Sequence, residues 1–194
     1  KSGFQWDRNW MIVDSKGEFM SQRKHRRMAL IKTSLKTTGD GIFLEVTVPE
    51  YKIPFLISTL EGGISTTTVR VWGDQVSGKL ENSDVNEALS DFLGENVRLV
   101  RFTSDNQSRT EIAFKDSMPV LVANLQSLKD LEAKVGSEIP MGRFRPNIVI
   151  EARKAYEEDH WSQLKIGAVS LKSAVPCARC VVITIDQVTG EAKG

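Results

Sequence analysis

The stretch WMIVDSKGEFM, Trp10–Met20, decides the expected fold class, because it has the pattern of two β-strands joined by a tight turn. Apolar runs stand on either side of Ser15-Lys16-Gly17, which is a plausible hairpin connection. Further runs of strand-like length follow along the first hundred residues, with Gly, Pro, Asp and Asn between them. These runs are MALIKTSL, GIFLEVTV, FLIST, TTVRVW and VRLVRF. This half of the chain is therefore predicted to be mainly β.

Two α-helices are predicted among the strands. The first begins at Ser83, which can cap it, and ends at Gly94; the second begins after Asn124 and ends at Gly136. Both have apolar residues at helical spacing, which are Val85, Leu89 and Phe92 in the first and Leu125, Leu128, Leu131 and Val135 in the second. AYEEDHW is predicted to be a short helical or turn segment, and NIVIEA, IGAVSLKSA and VVITID to be further strands.

The predicted fold class is therefore mainly β with a few helices (α+β), arranged as two consecutive β-rich units that carry one helix each. The polar stretch TSDNQSRTEIAFKDS follows Phe102 and is a candidate linker or long loop. It places the boundary near Ser104, so the expected domains are residues 1–103 and 104–194.

Composition narrows the range of functions. The chain has 194 residues, of which 40% are hydrophobic, so it should be globular. Its 26 Lys and Arg nearly balance 25 Asp and Glu, which argues against nucleic acid or an anionic membrane as the main partner. No apolar run is long enough to span a bilayer, so a soluble, cytoplasmic protein is expected. The basic run QRKHRRM is interpreted as a solvated loop or strand edge in preference to a docking patch for an electron donor.

The stretch VPCARC, Val175–Cys180, contains both cysteines of the chain. Their close spacing favours a reducing compartment and a metal or redox role over a disulfide scaffold. If Cys177 and Cys180 lie at the start of a regular strand, their side chains point to opposite faces, so one thiolate rather than two would bind a metal. Zinc is disfavoured because only two histidines are present. A thioredoxin-like redox pair is disfavoured because such a pair normally opens a helix, whereas VVITID is predicted to be a strand. Two small buried hydrophobic residues remain an alternative.

Polar residues also stand at two other predicted strand entrances. Arg145 and Asn147 flank a proline in RFRPNIVI, and Arg8 lies in WDRNWMIVD. Side chains at strand entrances can converge on a ligand, and an arginine fork suits a phosphate. Taken one by one, these arginines are more typical of solvated charges or salt-bridge partners.

Five motifs in order carry a resemblance to a known family. They are WDRNWMIVD, DSMPVLVANLQSL, FRPNIVI, EEDHW followed by IGAVSL, and CARC with a downstream TG. Together they resemble the MOSC-domain proteins that have an N-terminal β-barrel domain, in particular their amidoxime-reducing branch. The resemblance implies an N-terminal β-barrel-like domain packed on a MOSC β-barrel domain. A first-strand segment and the C-terminal strands of the family are expected to be missing, so the fold should be incomplete at both ends.

The resemblance also implies a cofactor and a site. The cofactor is Mo-molybdopterin, the molybdenum cofactor, with Cys180 as the protein ligand of the metal. The residues expected to bind the pterin and its phosphate are Arg8, Ser117, Arg145, Asn147 and Arg179. Asp116 is expected to assist proton delivery. With Arg8 in the first unit and Cys180 in the second, the site is expected in a cleft between them.

The activity implied is reduction of N-hydroxylated compounds such as amidoximes, hydroxylamines and N-hydroxylated bases. The expected partners are a small substrate and an external electron donor, which is either a b-type cytochrome with its reductase or an iron–sulfur protein or domain. No nucleic acid and no membrane span are expected, and the location is mitochondrial if a targeting segment precedes the chain. The alternatives are a cofactor- or sulfur-carrying module and a non-catalytic interaction domain.

Overall fold

A computed structural model describes residues 3–60, 62–103, 118–173 and 175–192 of the chain. The chain divides into two compact units. One consists of residues 1–116 together with 185–194, and the other of residues 117–184. The predicted domain boundary falls next to residues outside the described ranges, so it stays a prediction.

The described part of the first unit has seven strands, one α-helix and one 3-10 helix. Their bounds are β1 (Trp10–Asp14), the 3-10 helix Arg26–Leu30, β2 (Lys32–Thr38), β3 (Gly41–Thr47), β4 (Phe55–Ser58), β5 (Ser65–Val71), β6 (Asp74–Leu80), α1 (Ser83–Leu93) and β7 (Val97–Phe102). One antiparallel sheet has the order β1-β7-β6-β5 and another has the order β2-β3-β4. Among the described residues neither sheet closes into a barrel.

The core of the first unit has two clusters of buried side chains. One joins α1 to the sheet of β3 and β4 and to β7 through Val46, Ile57, Val85, Leu89, Phe92 and Val97, among others. The other lies on the sheet of β1, β5, β6 and β7 and contains Met11, Val13, Val69, Val71, Val76 and Val100. Most of these strand residues alternate with more exposed ones, as expected for sheets that bury one face.

The described part of the second unit has smaller elements. Their bounds are β8 (Val122–Asn124), α2 (Leu125–Val135), the 3-10 helix Met141–Phe144, β9 (Ile148–Ile150), the 3-10 helix Glu157–His160, β10 (Gln163–Ile166), β11 (Val169–Lys172) and the 3-10 helix Val181–Thr184. β8 and β9 pair in parallel, and β10 and β11 form an antiparallel hairpin. Among its described residues only Asn124 is fully buried.

The fold class predicted from the sequence is confirmed: the described part of the chain is mainly β with two α-helices. The Trp10–Met20 turn is also present, since Asp14 Oδ1 accepts hydrogen bonds from the backbone N–H groups of Lys16 and Glu18. Its second arm is short and is represented by an isolated bridge between Val13 and Phe19. Within the described ranges, no helix has the length and apolar character needed to cross a bilayer.

One predicted helix cap and two predicted strands were wrong. Asn82, and not Ser83, caps α1, because its side-chain oxygen accepts a hydrogen bond from Val85 N. Met28–Leu30 belong to a 3-10 helix, and the strand expected there begins only at Lys32. IGAVSLKSA does not form one strand, because the chain turns at Gly167, where φ is 56°, a conformation that glycine adopts at little cost.

The strand predicted for VVITID was also wrong. Val181–Thr184 form a 3-10 helix, and among the described residues no strand lies beside them to complete a β ladder. The backbone instead makes short-range hydrogen bonds, including Ile183 N to Cys180 O at 3.3 Å. Thr184 Oγ1 also donates to Val181 O at 2.8 Å. β-Branched residues favour strands only where a neighbouring strand offers packing and hydrogen bonds.

Candidate functional site

The segment that holds both cysteines is exposed and irregular. Residues 175–180 form neither helix nor strand, and they lead directly into the 3-10 helix Val181–Thr184. Cys177 and Cys180 are both exposed thiols. Because they do not lie on a strand, the argument that their side chains must point to opposite faces does not apply. Geometry alone therefore leaves the choice of metal ligand open.

Arg179 connects the cysteine segment to another part of the second unit. Its Nη1 donates to Cys177 Sγ at 3.2 Å, and its Nη2 donates to Phe144 O at 2.7 Å. Its guanidinium carbon also lies 5.7 Å from the centroid of the Phe144 ring. The planar guanidinium has several donors in a fixed arrangement, which lets one side chain make both contacts. The structure thus brings the CARC motif beside the end of the 3-10 helix Met141–Phe144.

Arg145 follows this helix directly and has an unusual backbone. Its φ of 52° and ψ of 47° are left-handed, and its N–H donates to Gly142 O at 3.1 Å. Few residues other than glycine, asparagine and aspartate adopt this conformation, because Cβ then crowds the backbone. The left-handed residue ends the helical turn next to the segment that Arg179 contacts.

Asn147 has a local structural role. Its Oδ1 accepts a hydrogen bond from Leu121 N at 2.9 Å, and its own N–H donates to Leu121 O at 2.9 Å. These bonds align the start of β9 with the residue that precedes β8. The side-chain amide nitrogen is the group of Asn147 through which it could bind a ligand as a donor.

Of the other predicted site residues, one lies in the first unit and two lie outside the described residues. Arg8 belongs to the first unit, where its Nη1 lies 3.3 Å from Asp7 Oδ2 and its backbone has a positive φ of 57°. Its participation in a common site stays a prediction. Asp116 and Ser117 lie outside the described residues, so their predicted roles also stay predictions.

Sequence reasoning missed Phe144, which supplies both a carbonyl acceptor and a ring for Arg179. Local sequence gave no signal for this contact, because it joins residues that are 35 positions apart. No group of three or more His, Cys, Asp or Glu side chains comes together as a metal site in the described part of the chain.

Comparison with known proteins gives two family matches. Residues 1–96 match the MOSC N-terminal beta barrel domain, and residues 109–193 match the MOSC domain. The chain is 30% identical to human mitochondrial amidoxime-reducing component 1 over 98% of its own length and 59% of that protein. It is 29% identical to human component 2 with the same coverage, and 30% identical to mouse component 1 over 95% of the chain and 57% of that protein. The chain thus spans just under three fifths of these curated relatives.

One solved structure, a solution structure of a protein from Bordetella bronchiseptica, is similar to 52% of this chain. Its TM-score is 0.41 and its sequence identity 15%, and 76% of that chain is covered. Likeness at this level carries no argument about fold or function. The two family models and the curated relatives are therefore the comparisons that bear on the site.

Proposed function

Because the chain belongs to the MOSC-domain proteins that also have a MOSC N-terminal β-barrel domain, we propose that it is a molybdenum cofactor-binding oxidoreductase. Its substrates would be N-hydroxylated compounds: amidoximes, hydroxylamines and N-hydroxylated bases. The relatives named as amidoxime-reducing components support this class of substrate. Since the chain spans only part of their length, both the activity and the substrates are proposals for this protein.

The observation that carries the proposal is the contact of Arg179 with Cys177 Sγ and Phe144 O, beside the exposed Cys180. The donor set fits the cofactor. Thiolate sulfur is a soft ligand that suits a redox-active metal, and guanidinium groups suit an anionic pterin phosphate. The MOSC family match covers this whole segment.

The proposed roles follow the family resemblance. Cys180 would bind the metal through its sulfur, and Arg8, Ser117, Arg145, Asn147 and Arg179 would hold the pterin and its phosphate. When bound, the cofactor would supply two-electron removal of oxygen from nitrogen, with two protons taken up and water released. Asp116 would deliver a proton to the leaving oxygen. Arg179 would also fix the cysteine segment against the 141–144 turn, which keeps the sulfur in place for ligation.

The electrons would come from an external donor. A b-type cytochrome with its reductase, or an iron–sulfur protein or domain, would both serve this reaction. The names of the relatives support a mitochondrial location, with the cytoplasm as the alternative.

The decisive experiment expresses the protein in a host with intact molybdenum cofactor synthesis. Molybdenum per chain and reduction of an aryl amidoxime by a reduced dye are then measured on the same sample. We expect about one molybdenum per chain together with turnover. Cofactor without turnover would indicate a carrier module, and no cofactor in any host would indicate an interaction domain; either result would contradict the proposal.

The matched pair Cys180→Ala and Cys177→Ala tests which sulfur is the ligand. We expect Cys180→Ala to lose nearly all molybdenum and turnover, whereas Cys177→Ala keeps most of the metal, because its sulfur pairs with Arg179 instead. Equal and complete loss in both variants would overturn the assignment of a single protein ligand. Circular dichroism of both variants checks that the fold is retained.

A further inference from the structure

A run of basic residues lines a shallow pocket of about 420 Å³ on the first unit. It is Arg23–Arg27, with the sequence RKHRR, and we call it the basic surface. Its four arginine and lysine side chains are exposed. The whole chain has a net charge of only +1, so this is a strong local concentration of positive charge. Such a patch creates a potential that attracts an acidic partner.

Aromatic rings hold two guanidinium groups of the basic surface. The Arg23 guanidinium carbon lies 5.1 Å from the centroid of the Trp72 ring, and that of Arg27 lies 4.3 Å from the centroid of the Phe92 ring. Cation–π contacts of this kind restrict the orientation of a long side chain. A side chain that is already ordered loses less conformational entropy when a partner binds. The basic surface is therefore partly preorganised.

Trp72 lies at one end of the basic surface with a strained backbone. It and Gly73 form the two-residue loop between β5 and β6, and their φ values are 53° and 95°. A two-residue loop with both φ positive normally has asparagine or aspartate in the first position. A bulky side chain in this conformation is an outlier, and strain of this kind occurs at functional surfaces. The Trp72 ring nevertheless remains 46% exposed.

We propose that the basic surface and Trp72 together dock an acidic face of a partner protein. Arginine and tryptophan are the residue types that most often dominate binding energy in protein interfaces. Complementary charge speeds the encounter and selects the partner. The sequence alone favoured a solvated loop or strand edge for this run; the aromatic contacts and the backbone of Trp72 change that interpretation. This inference is independent of the cofactor.

Two carboxylates at the basic surface favour a protein partner over nucleic acid or an anionic membrane. Glu95 Oε1 lies 2.7 Å from His25 Nδ1, and Glu50 Oε1 lies 3.6 Å from Arg27 Nη2. Carboxylates at the basic surface repel a continuous polyanion such as nucleic acid or an anionic bilayer, whereas a protein face can place basic groups opposite them. The run from Gln22 to Met28 has no exposed large apolar side chain, so Trp72 is the one such side chain of the proposed surface.

The probe for this site is a fluorescein-labelled synthetic peptide rich in glutamate with leucine between the acidic runs. Fluorescence anisotropy measures its binding to the full chain at low and at physiological salt. We expect saturable binding that weakens as salt is raised. The double variant Lys24→Glu/Arg26→Glu should weaken binding by roughly tenfold or more, since reversed charges repel the peptide. Among the described residues, neither side chain makes a hydrogen bond or ion pair, so the fold should be unaffected.

Trp72→Asn separates docking from folding. Asparagine suits the first position of this turn, so the thermal midpoint should not fall, while peptide binding should weaken by roughly tenfold. The matched control, Lys165→Glu/Lys172→Glu, makes the same change of charge in the second unit and should leave binding unchanged. Unaltered binding in Trp72→Asn, or equal loss in the control, would overturn the proposed site.

Competitors test the class of partner. A duplex oligonucleotide and vesicles of phosphatidylserine and phosphatidylcholine are added to the bound peptide. We expect weak competition from both at physiological salt. If either binds more tightly than the peptide, and loses binding with Lys24→Glu/Arg26→Glu, the proposal of a protein partner is wrong.

Discussion

The two α-helices begin and end in the same way but are held differently. α1 and α2 each have eleven residues, each follows a capping asparagine, and each ends at a glycine in the left-handed conformation. α1 buries four side chains, whereas α2 buries none. Capping residues and glycine therefore set the ends of a helix, while the surrounding strands decide whether its apolar face enters a core.

Hydrogen bonds of Asn124 hold the first turn of α2 in place. The buried Asn124 accepts hydrogen bonds at Oδ1 from Gln126 N and Ala152 N, and its Nδ2 donates to Lys154 O and Glu158 Oε2. Asn82, by contrast, caps α1 with a single bond to Val85 N at 3.2 Å. The second unit thus relies on a hydrogen-bond network where the first relies on apolar burial.

The ion pairs of the two units differ in burial. Arg101 and Glu81 are buried, with Arg101 Nε 2.7 Å from Glu81 Oε1. Trp10 Nε1 donates to the same carboxylate oxygen, and the Arg101 guanidinium also donates to Ser58 O and Thr59 O. The pair of Lys134 and Asp130 lies on the exposed surface of α2 at 2.6 Å.

The largest expected effect is on the buried pair. Glu81→Ala should lower the free energy of unfolding of the first unit by about 3–5 kcal/mol, because Arg101 is left buried without its carboxylate. Lys134→Ala should change stability far less, since the charged groups of Lys134 and Asp130 are both accessible to water. Urea denaturation measures both variants. Similar losses in the two would remove the proposed contrast between the units.

The next effect concerns the apolar faces of the helices. Leu89→Ala should cost about 2–5 kcal/mol, because it leaves a cavity in a closely packed core. Leu128→Ala should cost about 1 kcal/mol or less, because that side chain is only partly buried. Hydrogen exchange of the strand amides next to each helix measures the loss of stability in each unit. A larger loss at Leu128 would show that α2 has a core of its own.

The two caps should rank in the opposite order. Asn124→Ala should cost about 2 kcal/mol or more, because it leaves several polar groups without partners. Asn82→Ala should cost about 1 kcal/mol, the usual value of a helix cap. Thermal unfolding followed by circular dichroism compares them. If Asn82→Ala were the more damaging change, the hydrogen-bond network at α2 would not be its main support.

The smallest effect is a dependence on pH. Hydrogen bonds from Lys134 and Tyr156 lower the pKa of Asp130, and the bond to Asp130 raises the pKa of Lys134 and of Tyr156. The contribution of Asp130 is present above its unfolded pKa of about 4 and is lost as pH falls through its lower folded pKa. The contributions of Lys134 and Tyr156 are present below their unfolded pKa values of about 10 and are lost as pH rises through the folded ones.

Asp130→Asn tests this sign. The difference in thermal midpoint between this variant and the unchanged chain should shrink as the pH is lowered from neutral into the range below 4. Asp159→Asn is the control, because Asp159 lies in the same unit and its side chain makes no hydrogen bond or ion pair with a described residue. A difference that grows on acidification would contradict the lowered pKa of Asp130.

Much of the first unit could be predicted from its sequence, because local signals and tertiary structure agree there. The runs GIFLEVTV, FLIST and VRLVRF are strands with neighbours on which to pack. β6, by contrast, was missed because DQVSGKL has few apolar residues and a glycine in its interior. That glycine lies against Val100 and the backbone of Arg101, where a side chain would collide.

The candidate site could be predicted only in part. The motif order identified the family. Arg179 contacts Cys177 and Phe144, and its role in binding a cofactor stays a prediction. The conformation of VVITID could not be predicted, because strand formation there depends on a neighbour that is distant in sequence. Whether Arg8 takes part in the site depends on long-range geometry, which residue patterns do not determine.

The left-handed backbone of Arg145 places two demands on one residue. Glycine would adopt this conformation without crowding, so the arginine holds it at a conformational cost of about 1–2 kcal/mol. If the guanidinium binds the cofactor as proposed, Arg145 lowers the stability of the turn but provides a positive charge for binding. A glycine at this position would stabilise the turn but would weaken the affinity for anions. Because a small unit is only marginally stable, it can contain few residues that are held in unfavourable backbone conformations.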